Sequence, residues 1–323
     1  MNRYRSPLSS MVHGRWARRG RIAAAIAMSV LGAGALAGAA LAATPPDGSA
    51  NYSFQKLDNA KDLTFNQLLG INDSDRIAGY FGSGQTGHPN KGYLLSAGSY
   101  LNENFPNSAQ TQVTGLNNGA VTVGFWVDGK GNNNGFYAIH RNHFTTVNAP
   151  GSGKAKTRTD QLLGVNDSDI AVGFYTDASA NNHGYTYNIA KKTFGTVKIP
   201  GATSVQATAI NDLGDIAGIA DTNGFLRLSN GKIITLSFPG ASATMALGVN
   251  DGDEVVGAYT MGSGSSATTD GFVWAPGFGF QTVDDPNGVG ATTINGVNDR
   301  GQLVGFYTDS AGNTDGLLAK PSL

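Results

Sequence analysis

Five aspartates in the segments between predicted strands are the side chains of this sequence best suited to acid–base chemistry: Asp128, Asp177, Asp270, Asp309 and Asp315. Two carboxyl groups that face each other across a cleft can cleave a glycosidic bond, one as the acid and the other as the base or nucleophile. Their separation decides whether they can do so. A carbohydrate-active enzyme, either a hydrolase or a lyase, is therefore one hypothesis.

Six equivalent positions add further polar groups, each just before the residue that opens a predicted strand with glycine: Lys91, Asn134, His183, Asn223, Asp270 and Asp315. A mouth lined by amides, carboxylates, a histidine and aromatic rings suits a polar ligand such as a glycan. The alternative is an ordinary solvated rim, because loops are usually polar. The predicted ligand-binding residues are Asp128, Asn134, Asp177, His183, Asp270, Asp309 and Asp315.

Motifs for metal binding and nucleophilic catalysis are scarce. The sequence has no Cys, no Gly-x-Ser-x-Gly and no His-Glu-x-x-His, and His140-x-x-His143 has no third ligand in view. Some acidic groups could hold Ca²⁺ through oxygen, namely Asp73/Asp75, Asp167/Asp169 and Asp251/Asp253/Glu254. Because they recur in nearly every repeat, we interpret them as turn residues that bond to the backbone. We expect no cofactor, with Ca²⁺ as the alternative.

These candidate side chains belong to a repeated sequence unit. An apolar run ending in Gly-Ile-Asn, or a variant of it, occurs six times, with its asparagines at Asn72, Asn117, Asn166, Asn211, Asn250 and Asn298. The intervals of 39 to 49 residues are typical of a four-stranded propeller blade. A glycine follows each asparagine by seven residues, as Gly79 follows Asn72. We expect these glycines to allow close approach of neighbouring blades.

Each repeat predicts four short antiparallel strands, here called a to d. Strand a ends at the asparagine, an Asn-Asp turn leads to strand b, and a longer polar loop leads to strand c. Strand d ends at a Pro or Gly signal. We see no helical periodicity after residue 42. The pattern favours an all-β, six-bladed β-propeller over an open β-solenoid, whose coils are usually shorter.

The strand count predicts how the propeller closes. The sixth repeat has strands a, b and c, and the sequence ends at Leu323 without a strand d. The alternating segment 52–58 has no partner nearby and aligns with strand d of the third repeat. We predict that this N-terminal strand completes the last blade, so that no edge stays open. Residues 52–323 would be a single domain behind a flexible leader, residues 43–51.

Residues 1–42 have the composition of a secretory signal peptide. They contain six Arg, no acidic residue, an Ala/Gly-rich apolar run from residue 22 and the small-residue cleavage site Ala40-Leu41-Ala42. We therefore expect a secreted protein, extracellular or periplasmic. The alternative is a transmembrane anchor, although so many Ala and Gly make a weak span. Arg18-Arg19 hints at twin-Arg export, but Arg21 does not fit that signal.

The charge of residues 43–323 excludes several partners. This part keeps all 23 acidic residues and 16 of the 22 basic ones, for a net formal charge of −7. A nucleic-acid binder needs a basic face, and an anionic lipid surface repels a negative chain. We expect no nucleic-acid partner and, after signal removal, no membrane. Without disulfides the fold must depend on a core, which a chain of this length can build.

The repeat motif resembles that of the bacterial extracellular HAF repeat family. The shared pattern is Gly-Ile-Asn-Asp-x-Gly-x-Ile-Val-Gly-Tyr, then an Asp/Asn/Gly loop, then a small residue and an aromatic one, and it covers residues 52–320. The family's name refers to a His-Ala-Phe tripeptide at the start of strand c. In this sequence only His183-Gly184-Tyr185 keeps the histidine. The resemblance implies a secreted, propeller-like repeat and no particular reaction. Likeness to propellers implies that the b–c and d–a loops share one face.

Three functions fit these observations. We favour a non-catalytic binding module whose loops contact a polysaccharide, a cell-envelope component or a protein, because the repeats are regular and their variable loops are polar. The carbohydrate-active enzyme is the second. The third is a structural surface protein without a small ligand.

Overall fold

Six sheets of four antiparallel strands form the six blades of a β-propeller. The computed structural model describes residues 45–289 and 291–322. Helical structure in these residues amounts to three short 3₁₀ turns, Ser49–Asn51, Ser152–Lys154 and Gly264–Ser266. No helix among them is both long and apolar enough to cross a membrane. The predicted signal peptide lies outside the described residues.

The strands follow the predicted order a to d. Blades 1 to 3 contain β2 (Asn66–Ile71), β3 (Ile77–Phe81), β4 (Lys91–Ser96), β5 (Ser99–Asn102), β6 (Gln110–Leu116), β7 (Thr122–Val127), β8 (Asn133–Ile139), β9 (His143–Val147), β10 (Asp160–Val165), β11 (Ile170–Thr176), β12 (Asn182–Asn188) and β13 (Thr193–Val197). Blades 4 and 5 contain β14 (Val205–Ile210), β15 (Ile216–Ala220), β16 (Asn223–Arg227), β17 (Ile233–Leu236), β18 (Ala243–Val249), β19 (Val255–Met261), β20 (Thr268–Ala275) and β21 (Gly279–Thr282). Blade 6 contains β22 (Thr292–Val297), β23 (Leu303–Thr308), β24 (Thr314–Pro321) and the N-terminal β1 (Tyr52–Lys56).

The last blade closes as the strand count predicts. Strand β1 pairs antiparallel with β24, and the register runs from Tyr52 opposite Pro321 to Lys56 opposite Leu317. The sheet order β1-β24-β23-β22 makes β1 the outermost strand of blade 6. The two ends of the chain therefore share one sheet, and the predicted closure is confirmed.

Each inner strand has a register shift at the same position, between Leu68 and Gly70 in blade 1. The same shift recurs in the other five blades. A bulge of this kind re-aims the extra side chain. The glycines beside the bulges bring the inner strands close together, because a Cβ on Gly115 would lie 3.2 Å from the Cα of Gly164.

The glycine of strand b has a different role from the one that we expected. A Cβ on Gly79 would lie 2.4 Å from the carbonyl oxygen of Gln67 and 3.2 Å from the ring of Tyr93. All three residues belong to blade 1. The expectation that Gly79 permits close approach between blades was therefore wrong. The constraint lies within the blade, where strand a and the aromatic residue of strand c leave no room.

The core lies between neighbouring blades. One cluster joins Val123 and Tyr137 of blade 2 to Leu162 and Tyr185 of blade 3. The aromatic residues that open strand c are almost fully buried, as Phe136 and Phe272 are. Burial of such rings supplies a large share of folding energy, so each blade depends on its neighbours.

Residues 45–51, which belong to the segment expected to be a flexible leader, run beside the outer strand of blade 5. The backbone N–H of Gly48 donates to the carbonyl of Thr282 at 2.8 Å, and the N–H of Thr282 donates to the carbonyl of Pro46 at 3.1 Å. At the other end the N–H of Ser322 donates to the carbonyl of Asn51 at 2.7 Å. The segment thus links the edges of blades 5 and 6.

Candidate functional site: the loop face and the axial channel

The two ends of the blades carry different connections. Because consecutive strands are antiparallel, the a–b and c–d turns lie at one end and the b–c and d–a loops at the other. We call the second end the loop face and the first end the hairpin face. The b–c loops are residues 82–90, 128–132, 177–181, 221–222, 262–267 and 309–313. All seven predicted ligand-binding residues lie in these loops or within three residues of them.

Three of the predicted aspartates, Asp128, Asp177 and Asp309, organise their own loops. Each Oδ1 accepts two backbone N–H groups, from the residues two and four positions later, at 2.8–3.0 Å. These bonds help to lower the pKa of all three. The first cause is the side-chain amide of Asn132 for Asp128, His183 for Asp177 and the backbone of Asn313 for Asp309. The three carboxylates lie in three different blades, 2, 3 and 6.

His183 forms a partly exposed polar cluster with two neighbouring side chains. Its Nε2 lies 2.8 Å from Oδ2 of Asp177, and its ring stacks on Tyr175 with the centroids 5.0 Å apart. The side chain is 41% exposed. A carboxylate, an imidazole and an aromatic ring thus meet at the surface of blade 3, held by a loop that is itself hydrogen-bonded.

Asn134 is buried under a neighbouring loop. Its Oδ1 accepts a hydrogen bond from Nη1 of Arg158 at 2.7 Å, and its Nδ2 donates to the carbonyl of Asn132 at 3.2 Å. Only 3% of the residue is exposed. Asn134 therefore holds the d–a loop of blade 2 against the b–c loop.

Asp270 lies beside a second carboxylate that the sequence did not single out. Burial, together with the charges of Asp270 and Asp47, raises the pKa of Asp284 to about 6. Burial also raises the pKa of Asp270. Oδ1 of Asp284 accepts the backbone N–H of Gly271 at 3.0 Å. Asp284 follows strand d, and only the fold brings it beside the start of strand c.

Asp315 belongs to an ion cluster at the closure of blade 6. Nζ of Lys56 lies 2.7 Å from Oδ2 of Asp315 and 3.2 Å from Oδ2 of Asp58. The two carboxylates are 1% and 5% exposed. Burial, together with the charge of Asp315, raises the pKa of Asp58. Asp315 thus ties the last strand to the first one.

The hairpin face carries two closed rings of hydrogen bonds around the axis. Nδ2 of each repeat asparagine donates to the backbone carbonyl of the next one at 3.0–3.1 Å, through Asn72, Asn117, Asn166, Asn211, Asn250, Asn298 and back to Asn72. The backbone N–H of each following residue donates to the next Oδ1 at 2.6–3.0 Å, through Asp73, Asn118, Asp167, Asp212, Asp251, Asp299 and back to Asp73.

Through these two rings the repeated Asn and Asp residues join each blade to the next. The asparagines also cap their own turns, as expected, since Oδ1 of Asn72 accepts the N–H groups of Ser74 and Arg76 at 3.0 Å. No sequence pattern indicates that the turns are linked to one another, because the partners are separated by 39 to 226 residues. Among the described residues no group of three His, Cys, Asp or Glu side chains is arranged to hold a metal ion. The Ca²⁺ alternative stays a prediction.

A small cavity lies on the propeller axis. It is lined by the six bulge residues, which alternate between leucine and a polar side chain: Leu69, Thr114, Leu163, Thr208, Leu247 and Asn295. The hydroxyl of Thr114 donates to the carbonyl of Leu162 at 2.8 Å, and Thr208 does the same to Ala246 at 2.7 Å. The polar members therefore join neighbouring blades.

Comparison with known proteins supports the architecture alone. No protein-family model and no curated protein matches this chain. Solved structures resemble it in fold: AofleA from Arthrobotrys oligospora at 13% identity and a TM-score of 0.51, covering 85% of this chain and 90% of that one, and TolB from Acinetobacter baumannii at 11% and 0.49, covering 76% and 63%. The chain thus spans less than two thirds of that TolB chain. At 13% identity the likeness to AofleA supports the β-propeller fold alone.

Proposed function

We propose that this chain is a secreted binding propeller without catalytic activity. Its loop face binds a glycan, a cell-envelope component or a protein. The observation that carries the proposal is the cluster of Tyr175, Asp177 and His183. Its carboxylate and imidazole can hydrogen-bond hydroxyl groups, and its aromatic side chain offers an apolar surface. Secretion is supported by the composition of residues 1–42 and by the resemblance to HAF repeats.

The state of the loop carboxylates favours binding over hydrolysis. A glycosidase needs one carboxyl group with a raised pKa as its acid, close to a second carboxylate. Asp128, Asp177 and Asp309 have lowered pKa values and are bonded to their own loops in separate blades. They are therefore ionised at neutral pH and unsuited to donate a proton.

One observation favours the alternative, an extracellular carbohydrate-active enzyme. Asp284 has a pKa of about 6 and lies in the electrostatic field of Asp270. A carboxyl group with a pKa near 6 can serve as a general acid. If the protein turns over a polysaccharide, these two residues are the first to examine.

A glycan and polysaccharide array separates the two functions. The protein is applied with and without Ca²⁺, and every ligand that binds is incubated overnight and scored for cleavage products. We expect binding without products. The variant His183→Ala should weaken binding at least roughly tenfold, since it removes one hydrogen-bonding partner and one stacked ring from the cluster.

A matched control is His143→Ala. His143 is also exposed, but it lies at the c–d turn of blade 2 on the hairpin face, so its loss should leave binding unchanged. Equal binding by wild type and His183→Ala would refute the role of this cluster. Cleavage products that disappear in Asp270→Asn or Asp284→Asn would establish the enzyme instead.

A further inference from the structure

The d–a loop of blade 2, residues 148–159, differs in charge from the protein that carries it. It contains three basic residues, Lys154, Lys156 and Arg158, and no acidic one. Among the described strands it is also the longest connection from the outer strand of one blade to the inner strand of the next. Because residues 43–323 have a net formal charge of −7, this loop is a local positive surface on a negative protein.

Two of the three charges are available to a ligand. Lys154 and Lys156 are exposed, and within the described part of the chain neither side chain forms an ion pair. Arg158 is only partly exposed; its Nη1 donates to Oδ1 of Asn134 at 2.7 Å, and its charge interacts with that of Asp160. Arg158 therefore holds the loop in place, while the two lysines face the solvent.

The loop that carries the lysines is fixed at both ends. At its start the hydroxyl of Ser152 donates to the carbonyl of Ala149 at 2.9 Å, and the N–H of Ala149 donates to Oδ2 of Asp160 at 2.6 Å. At its end the N–H of Arg158 donates to Oδ1 of Asn132 at 2.9 Å. A loop ordered in this way loses little conformational freedom when a ligand binds.

The same loop lies against the aromatic cluster of blade 3. The N–H of Thr176 donates to the carbonyl of Thr159 at 3.0 Å. A Cβ on Gly151 would lie 2.3 Å from the hydroxyl of Tyr175, and the ring of Tyr175 stacks on that of His183. The basic loop and the cluster of the proposed function thus form one continuous surface across the boundary between blades 2 and 3.

We propose that this surface binds an anionic glycan, with Lys154 and Lys156 on its acidic groups and a sugar unit on the cluster of Tyr175, Asp177 and His183. The inference rests on the proposed function and names the ligand class of that same site. Ammonium groups form charge-assisted hydrogen bonds with carboxylate or sulfate. The negative charge of Asp177 is balanced locally, because Nε2 of His183 and two backbone N–H groups contact its oxygens.

The test compares two pairs of exposed lysines, each replaced by glutamine to remove the charge and keep most of the side chain. Lys154→Gln/Lys156→Gln changes the loop, and the matched control Lys191→Gln/Lys192→Gln removes the same charge from the c–d turn of blade 3 on the hairpin face. Because all four side chains are exposed, both variants should melt as wild type does. Binding to polygalacturonate, dextran sulfate and uncharged dextran is measured by calorimetry at ionic strengths of about 0.01 M and about 0.15 M.

Wild type should bind at least one acidic polymer and bind dextran more weakly. The loop variant should weaken binding of that polymer at least roughly tenfold and reduce its dependence on salt, because two attractive charges are lost. The control variant should bind as wild type does. The carboxylated and the sulfated polymer distinguish which acidic group the lysines accept.

The remaining outcomes separate this inference from the proposed function. Equal losses in the two double variants would overturn the inference, since overall charge then explains the binding, and so would equal affinity for double-stranded DNA. Binding of neutral glycans that depends on His183 and not on the lysines overturns the inference and keeps the proposed function. Loss in the loop variant with full binding by His183→Ala supports the lysine site and contradicts the cluster. If no polymer binds, the inference fails, and the proposed function loses its glycan ligand.

Discussion

At the scale of single residues, equivalent positions in the blades serve different purposes. The residue before the strand-c glycine is Asn134 in blade 2, His183 in blade 3 and Asp315 in blade 6. Asn134 is buried under Arg158, His183 is exposed beside Asp177, and Asp315 is bound to Lys56. The backbone site is the same in each case, and its neighbours decide the role. Three of the six positions predicted from the sequence as one polar ring therefore belong to three local structures with separate partners.

The raised pKa of Asp284 predicts how stability depends on pH. Its folded pKa of about 6 lies above the ordinary value of 3.8, so the folded chain holds this proton more tightly than the unfolded chain does. The stabilisation is fully present below pH 3.8 and is lost as the pH rises to about 6. Asp284→Asn should keep the bond from Gly271 and remove the charge. The melting temperature of Asp284→Asn minus that of wild type should be higher at pH 7 than at pH 4.

Asp128→Asn is the comparison of opposite sign. The pKa of Asp128 is lowered, first by the side-chain amide of Asn132, so its stabilisation is present at neutral pH and is lost on acidification. The substitution should therefore be more harmful at pH 7 than at pH 4. A pH-independent difference between Asp284→Asn and wild type would show that Asp284 does not titrate between these values.

At the scale of the strand, the glycine in strand b sets the distance between strands a and c. A Cβ on Gly124 would lie 2.0 Å from the carbonyl oxygen of Gln112 and 2.9 Å from the ring of Phe136. Neither neighbour can move easily, because one is backbone and the other is fully buried. In all six blades a Cβ on the strand-b glycine would lie 1.8–2.4 Å from a carbonyl oxygen of strand a, and in blades 1, 2, 4 and 5 it would also meet the aromatic ring that opens strand c.

Gly124→Ala should therefore be strongly destabilising. We expect a loss of about 3 kcal/mol in the free energy of unfolding, at the upper end for overpacking, measured by urea titration. Gly129→Ala is the matched control: Gly129 lies in the next loop, where an added Cβ would meet no other atom within 4 Å, and its substitution should change stability by less than about 0.5 kcal/mol. Equal effects of the two would show that strand b can shift to make room.

These strand-level features mark the limit of what the sequence predicts. The repeat of Asn and Gly gives the number of strands and blades, because turn chemistry and strand alternation are local. It does not give the contact of Gly124 with Phe136, the environment of Asp284 or the partners of Asn134. These features depend on contacts between residues that are distant in the chain, as Gly124 is from Phe136, Gly271 from Asp284 and Asn134 from Arg158.

At the scale of the whole molecule, closure is continuous around the axis. The asparagine ring returns from Asn298 to Asn72, and the second ring returns from Asp299 to Asp73. Blade 6 is therefore joined to blade 1 by the same bonds that join every other pair. The outer edge of blade 6 is held differently, by β1 and by the ion cluster of Lys56, Asp58 and Asp315. The sequence predicted the strand pairing, but not the buried charges that accompany it.

The closure can be tested by removing the one cation of this cluster. Lys56→Met leaves Asp58 and Asp315 buried without their ion partner, and loss of one member of a buried pair costs about 3–5 kcal/mol. Because the lysine side chain is 48% exposed, water can compensate in part, and we expect a loss of about 2 kcal/mol by urea titration. Lys320→Met is the control, because Lys320 is exposed on the neighbouring strand β24 and its substitution removes the same charge. If both variants lose the same stability, the cluster does not hold the first strand to the last, and the pairing of β1 with β24 depends on the backbone ladder alone.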